Sequence, residues 1–216
     1  MRSGTIFVAA LVLTGSTMAL GGTIANTKHD LSSTSTAAIK STTQGDTCVF
    51  CHIAHNGQPA AFRPLWSHTM TTTNLTWAPT TTVRGTTLPT SIISTQLAGS
   101  RACMSCHDGT VALGDLFKGV DTTVAGTNVL TGKLNAGVNL LNPATMQTNH
   151  PLGVPKPAAV TGFTAFKTVA STSAVNYDSQ GLVQCDSCHN PHDNTFGTFL
   201  KINPAGGAIC LTCHDV

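Results

Sequence analysis

The sequence predicts a fold that is mostly coil, with short helices and few short strands. Only 9% of the 216 residues are charged and 5% are aromatic. Thr, Ser, Gly and Pro fill much of the chain, and helical periodicity is hard to find. Such a chain buries a poor apolar core unaided. The fold therefore needs another source of apolar surface, and the cysteines indicate one.

Every one of the eight cysteines lies in a C-x-x-C-H unit. The four units, named the first to fourth motifs, are Cys48/Cys51/His52, Cys103/Cys106/His107, Cys185/Cys188/His189 and Cys210/Cys213/His214. The chain has nine histidines, so a chance origin for this pattern has a probability on the order of 10⁻⁶.

A C-x-x-C-H unit is the attachment signal for c-type haem. Its thiols form thioethers with the porphyrin vinyl groups, and its histidine is the proximal iron ligand. A zinc ribbon fits less well, because 21 residues separate Cys188 from Cys210 and the other gaps are 51 and 78 residues. A disulfide scaffold leaves the histidines unexplained. We therefore predict a multihaem c-type cytochrome wrapped around a chain of four haems.

The local structure follows from composition. Short helices are expected at the motifs. Residues Thr71–Pro89 and Gly119–Asn142 are predicted to be loops with short extended pieces, since Thr and Val favour strands and Gly and Pro interrupt them. The Ser/Thr-rich Leu31–Thr43 is predicted to be a mobile surface segment rather than a glycan or partner site.

Residues 1–21 have the features of a secretory signal peptide. A basic residue and the apolar run 6–13 precede Ala19 and Gly21, which occupy the −3 and −1 positions of a cleavage site. The run is short for a transmembrane helix, and no transmembrane span is predicted. Residues 22–216 are expected to form one tetrahaem cytochrome domain that is secreted, extracellular or at the cell surface. A periplasmic location is the alternative.

The charge excludes some partners. The formal net charge is +2, and the propionates of four haems would add about eight negative charges. No basic cluster is present in the sequence, so neither nucleic acid nor a membrane surface is an expected partner.

The order of the motifs is A-B-A-B. The first and third continue to a second histidine, in CVFCHIAH and CDSCHNPH, whereas the second and fourth end in CHD. This repetition indicates two dihaem modules, 48–107 and 185–214, joined by a region that contains NHPLGVPKP at 149–157. Independent domains are not expected, because neither half could bury its porphyrins alone.

Five histidines remain outside the motifs as candidate distal ligands. His55 and His192 are tethered on the same face of the haem as their motif histidines, so each is expected to reach the iron of a neighbouring haem. Methionine is the weaker axial candidate because it more often packs in cores. Four haems need four distal histidines, so one is in surplus. The distal candidates are His29, His55, His68, His150 and His192, and the methionines are Met70, Met104 and Met146.

An ordered set of segments carries a family resemblance over nearly the whole mature chain. The set resembles small tetrahaem outer-surface cytochromes of the OmcE kind, which polymerise into nanowire filaments in Geobacter-like bacteria. The resemblance implies alternating parallel and T-shaped haem pairs, a head-to-tail homopolymer, and His55 ligating a haem of the adjacent subunit. Other outer-surface cytochromes or extracellular acceptors would be partners. The segments are KHDLS (28–32), CVFCHIAHNG (48–57), PLWSH (64–68), ACMSCHDGTVALGD (102–115), NHPLGV (149–154), CDSCHNPHDNTFGTFLK (185–201) and CLTCHDV (210–216).

Bis-histidine iron has no open position for a substrate. The sequence therefore predicts an electron carrier that is not an enzyme, with low reduction potentials, acting in extracellular electron transfer. A monomeric periplasmic shuttle is the alternative, although its usual members are richer in lysine. A multihaem reductase fits less well, because no motif lacks a candidate distal histidine.

Overall fold

The predicted coil is confirmed in the part of the chain that the structure describes. The computed structural model describes residues 23–55, 57, 65–70, 72, 74–77, 79–82, 85–91, 93–116, 124–125, 132–134, 140, 149–156 and 166–215. Within these ranges the α-helices are α1 (Arg101–His107), α2 (Cys185–Cys188) and α3 (Ala208–Leu211). Single 3-10 turns lie at Cys48–Phe50, Thr95–Leu97 and Ala205–Gly207. Strands β1 (Lys40–Ser41) and β2 (Val124–Ala125) form one antiparallel pair.

Each motif lies on or beside a short helix, as the sequence predicted. In the first, third and fourth motifs, the histidine N–H donates to the carbonyl of the first cysteine, over 2.8, 3.1 and 2.9 Å. This i to i−4 bond closes one helical turn. A single turn places the two cysteines and the histidine close together. One turn is therefore enough to present all three side chains.

The main apolar core lies around α1. Its buried members are Leu75, Trp77, Leu88, Leu97, Met104 and Val154. The segment 74–91 covers this helix with extended pieces, joined by isolated bridges between Asn74 and Ser91 and between Thr81 and Thr87. The prediction for Thr71–Pro89 is thus confirmed where the segment is described. Met104 is 1% exposed within this core, and its role is therefore packing.

The prediction of a surface segment at Leu31–Thr43 is wrong for three of its four serines. Ser32, Ser35 and Ser41 are at most 2% exposed. Their hydroxyls form hydrogen bonds with neighbouring groups of the protein. The Ser32 hydroxyl donates to Asp30 at 2.6 Å, and the Ser41 hydroxyl accepts from the backbone of Gln44 at 2.9 Å. A Ser-rich composition does not reveal such local bonds, because these residues also suit exposed loops.

The region before the third motif packs against residues far from it in sequence. Val183 donates to the carbonyl of Val154 at 2.9 Å, and Gly153 donates to the carbonyl of Val183 at 2.8 Å. Gly153 has a φ of 68°, and a Cβ there would lie 2.8 Å from the carbonyl oxygen of Gln96. Only glycine fits this approach without strain. The contact fixes the segment that begins with His150.

Among the described residues, no helix is long and apolar enough to cross a membrane. The predicted signal peptide, Met146 and most of Gly119–Asn142 lie outside the described residues.

Candidate haem sites

None of the eight cysteines forms a disulfide bond. Burial raises the pKa of Cys51 and of Cys106 to about 12, so these thiols are neutral. In the described ranges, no three His, Cys, Asp or Glu side chains come together as a cage for a metal ion. The thiols of each motif are therefore available for thioether bonds.

Three motif histidines face a histidine from a distant part of the chain. His52 faces His192, with ring centres 6.2 Å apart. The same 6.2 Å separates His107 from His29 and His214 from His150. The pairs that the structure brings together thus each combine a predicted proximal and a predicted distal histidine.

The spacing fits one metal ion between each pair of rings. A metal–imidazole bond is about 2 Å long, as it is for zinc. With ring bonds of about 1.35 Å, each nitrogen lies about 1.15 Å from the ring centre. Two imidazoles on opposite sides of one ion therefore have centres about 6.3 Å apart. The three pairs satisfy this distance, so the residues present fit haem iron.

Backbone carbonyls orient several of these imidazoles. The Nδ1 atoms of His150, His189 and His68 lie 2.8, 2.9 and 3.0 Å from the carbonyl oxygens of Pro151, Thr198 and Thr69. A carbonyl only accepts hydrogen bonds, so Nδ1 carries the proton and Nε2 keeps its lone pair. Ligand histidines in metalloproteins are held in this way.

His68 is the clearest case of a preformed ligand. Its side chain is 0% exposed, and its Nε2 has no hydrogen-bond partner. Burial lowers the pKa of His68, so the imidazole is neutral. A buried polar atom without a partner costs about 1–3 kcal/mol. An iron ion bound at Nε2 would remove that cost.

The His29 imidazole is also held neutral. Burial, together with the nearby His107, lowers its pKa to about 4. Its ring stacks on Phe199, with centres 4.0 Å apart. Next to it, the Asp30 carboxylate accepts hydrogen bonds from Asn26, Ser32 and Thr47. Because Thr47 directly precedes the first motif, Asp30 ties the His29 segment to that motif.

Two of the distal candidates are not placed against a motif histidine. His55 is exposed and has no ring or hydrogen-bond partner among the described residues. His68 is buried but has no imidazole partner in the same ranges. His189 is the one motif histidine without a ring contact to another histidine there, although it lies near enough to His29 to help lower the pKa of that imidazole. Either His55 or His68 is thus the distal candidate for the haem on His189, and the other is the surplus histidine.

Aromatic residues beside the motifs were not identified from the sequence. Trp66 meets His52 edge to face at 5.7 Å, and its Nε1 donates to Ser105 at 3.3 Å. Phe166 packs on His214 at 4.7 Å. Burial, together with Cys213, raises the pKa of Tyr177 to about 12. The low aromatic content of the chain could have identified these residues. When a chain has few aromatic rings, they are expected where apolar surface is needed most.

Comparison with known families agrees with this chemistry. Residues 179–216 match the family described as Doubled CXXCH motif, which here includes the third and fourth motifs. No curated protein matches the chain. The match indicates covalently bound c-type haem and a multihaem cytochrome, a class that usually carries electrons.

Proposed function

We propose that the protein is a tetrahaem electron carrier with two histidines on each iron. The observation that carries this proposal is the common 6.2 Å spacing of the three histidine pairs. When bound, haem supplies a reversible one-electron change at iron. The chain holds each haem by two thiols and one proximal histidine from the four motifs.

The paired histidines favour electron transfer over substrate chemistry. An iron with an imidazole on each side has no vacant position for a small molecule. Backbone carbonyls at Nδ1 increase the basicity of the bound imidazoles and keep their rings oriented. The greater basicity stabilises ferric iron, so low reduction potentials are expected. The aromatic rings of Trp66 and Phe166 pack on proximal histidines and limit access of water.

We further propose that the subunits polymerise into a secreted, extracellular filament. The support is the exposed, unpartnered His55 together with a His189 that makes no ring contact with another imidazole in the described chain. In a head-to-tail contact, His55 of one copy would bind the haem on His189 of the next. Such a contact does not close, so it propagates. Outer-surface cytochromes or extracellular acceptors would receive the electrons.

A monomeric periplasmic shuttle is the second candidate, and His68 favours it. Its buried Nε2 is free of hydrogen bonds, so it is suited to complete the remaining haem within its own chain. His55 would then be a solvent-exposed histidine without a ligand role.

Electron microscopy and electron paramagnetic resonance of the mature haem-loaded protein separate the two candidates. Wild type, His55→Ala and His68→Ala are compared, with the exposed Gln180→Ala as control. If the protein forms filaments, His55→Ala should abolish them and give high-spin iron at one haem, while the control variant should keep its filaments. For the shuttle, wild type is monomeric with four low-spin haems, and His68→Ala creates the high-spin iron.

A further inference from the structure

Two buried polar side chains join the second and third motifs. Ser100 directly precedes α1 and is 0% exposed, and Gln184 directly precedes α2 and is 1% exposed. The Ser100 hydroxyl donates to the Gln184 side-chain oxygen at 2.7 Å. It also accepts from the backbone N–H of Cys185 at 3.1 Å. The Ser100 side chain does not cap its own helix. Its hydroxyl instead bonds to Gln184 and Cys185, at the start of the third motif.

Hydrogen bonds hold the Gln184 side-chain amide in a single orientation. Its Nε2 donates to the Gln96 carbonyl and to the Asp178 carboxylate, both at 2.8 Å. A Cβ added at Gly99 would lie only 2.8 Å from the Gln184 Cγ, so the side chain needs a glycine there. The amide oxygen and nitrogen are thus fixed by three partners, and the stem lies against bare backbone. A buried network with every member satisfied is rigid.

The network fixes two haem-attachment thiols beside each other. The Cys103 thiol hydrogen-bonds to that of Cys185, which lowers the pKa of Cys185. These are the first cysteines of the second and third motifs. In the mature protein both sulfurs carry porphyrin edges, so the same closeness brings those edges together.

We infer that Ser100 and Gln184, the Gln184 clasp, are positioning residues that set the contact between the haems of the second and third motifs. The inference rests on the proposed four-haem electron carrier. Electron transfer between haems falls steeply with the distance between their edges. A clasp that fixes the two helix N-termini therefore fixes the rate of this step.

The test uses the mature haem-loaded protein and two variants of the clasp. Gln184→Met keeps the volume of the side chain against Gly99 and removes its hydrogen bonds. Ser100→Ala removes only the hydroxyl. The matched control is Gln180→Met, the same change at an exposed position four residues earlier. Mass spectrometry counts the attached haems, and circular dichroism in the Soret band measures the exciton coupling of adjacent haems.

Both clasp variants are expected to keep four haems and lose part of the amplitude of the Soret couplet, while the control matches wild type. An unchanged couplet in both variants would overturn the inference. Loss of a haem from both would also overturn it, because the clasp would then serve attachment. Failure of the proposed function shows differently, as fewer than four haems or as high-spin iron in the wild type.

Discussion

The middle of the chain and its C-terminal end differ in how many of their side chains are buried. Around α1, buried side chains such as Trp77, Leu97 and Met104 form an apolar core of protein atoms alone. Between residues 200 and 215, no described residue is buried. Yet these C-terminal residues hold the fourth motif and part of the matching Doubled CXXCH family. From this difference we infer that the C-terminal residues depend on haem for an apolar partner, whereas the region around α1 does not.

Removing the fourth haem should have the largest effect. In the variant with Cys210→Ala and Cys213→Ala, residues 200–215 lose their apolar partner, so their amides should exchange as in an unfolded segment. Hydrogen exchange read by mass spectrometry tests this at Thr212 and His214, which donate to Ala208 and Cys210.

The matched control makes the same change at the second motif, Cys103→Ala with Cys106→Ala. Because protein side chains also form the core there, segment 74–91 should keep measurable protection. Equal loss of protection in the two regions would contradict the comparison.

A substitution in the core around α1 should lower stability without removing a haem. Leu97 is 1% exposed in the main core, and Leu97→Ala should lower the free energy of unfolding by about 2–5 kcal/mol. Chemical denaturation measures the loss, and mass spectrometry should still find every haem attached. The exposed Ile93 provides the control, since Ile93→Ala should change stability far less. Comparable losses from the two variants would show that the core around α1 does not carry the stability of this region.

A smaller change at the fourth haem should separate anchoring from ligation. His150→Ala leaves the thioethers and His214 in place, so protection of residues 200–215 should persist. One iron should become high spin in electron paramagnetic resonance, and added imidazole should return it to low spin. A spectrum identical to wild type would remove His150 from the ligand set.

The smallest effect concerns the polar N-terminal segment, where Leu31 and Ile39 pack on a small apolar cluster around Phe50 and Leu113. Burial by itself would raise the pKa of Asp30, but hydrogen bonds from Ser32, Asn26 and Thr47 lower it overall. Asp30→Asn places an amide N–H against the Asn26 N–H and should cost about 1–3 kcal/mol.

The pH dependence has a defined sign. The folded pKa of Asp30 lies below its ordinary value of 3.8, so its stabilisation is present above that value and is lost as the pH falls through the folded pKa. Unfolding curves of wild type and Asp30→Asn should therefore converge in acid. A difference that stays constant down to the lowest pH would contradict this role of the carboxylate.

The local geometry of the motifs was predictable from the sequence, whereas the packing was not. The C-x-x-C-H spacing contains its own helical turn, so the motif geometry is local and readable. The pairing of His150 with His214, or of His29 with His107, depends on tertiary contacts that no local pattern encodes. The buried serines of residues 32–41 and the Gln184 clasp escaped for the same reason, because Ser and Gln suit exposed loops equally well.

The most direct test of the account is low-temperature electron paramagnetic resonance of the oxidised mature protein, with haems counted by mass spectrometry. The account predicts four haems, with low-spin signals of two kinds. The imidazole planes of the His29–His107 and His150–His214 pairs meet at 68° and 65°. Across a bound iron, this angle would leave the dπ orbitals nearly degenerate and should give a single large g value. The His52–His192 planes meet at 21° and should give a rhombic signal. High-spin iron at two or more haems would contradict the histidine pairs.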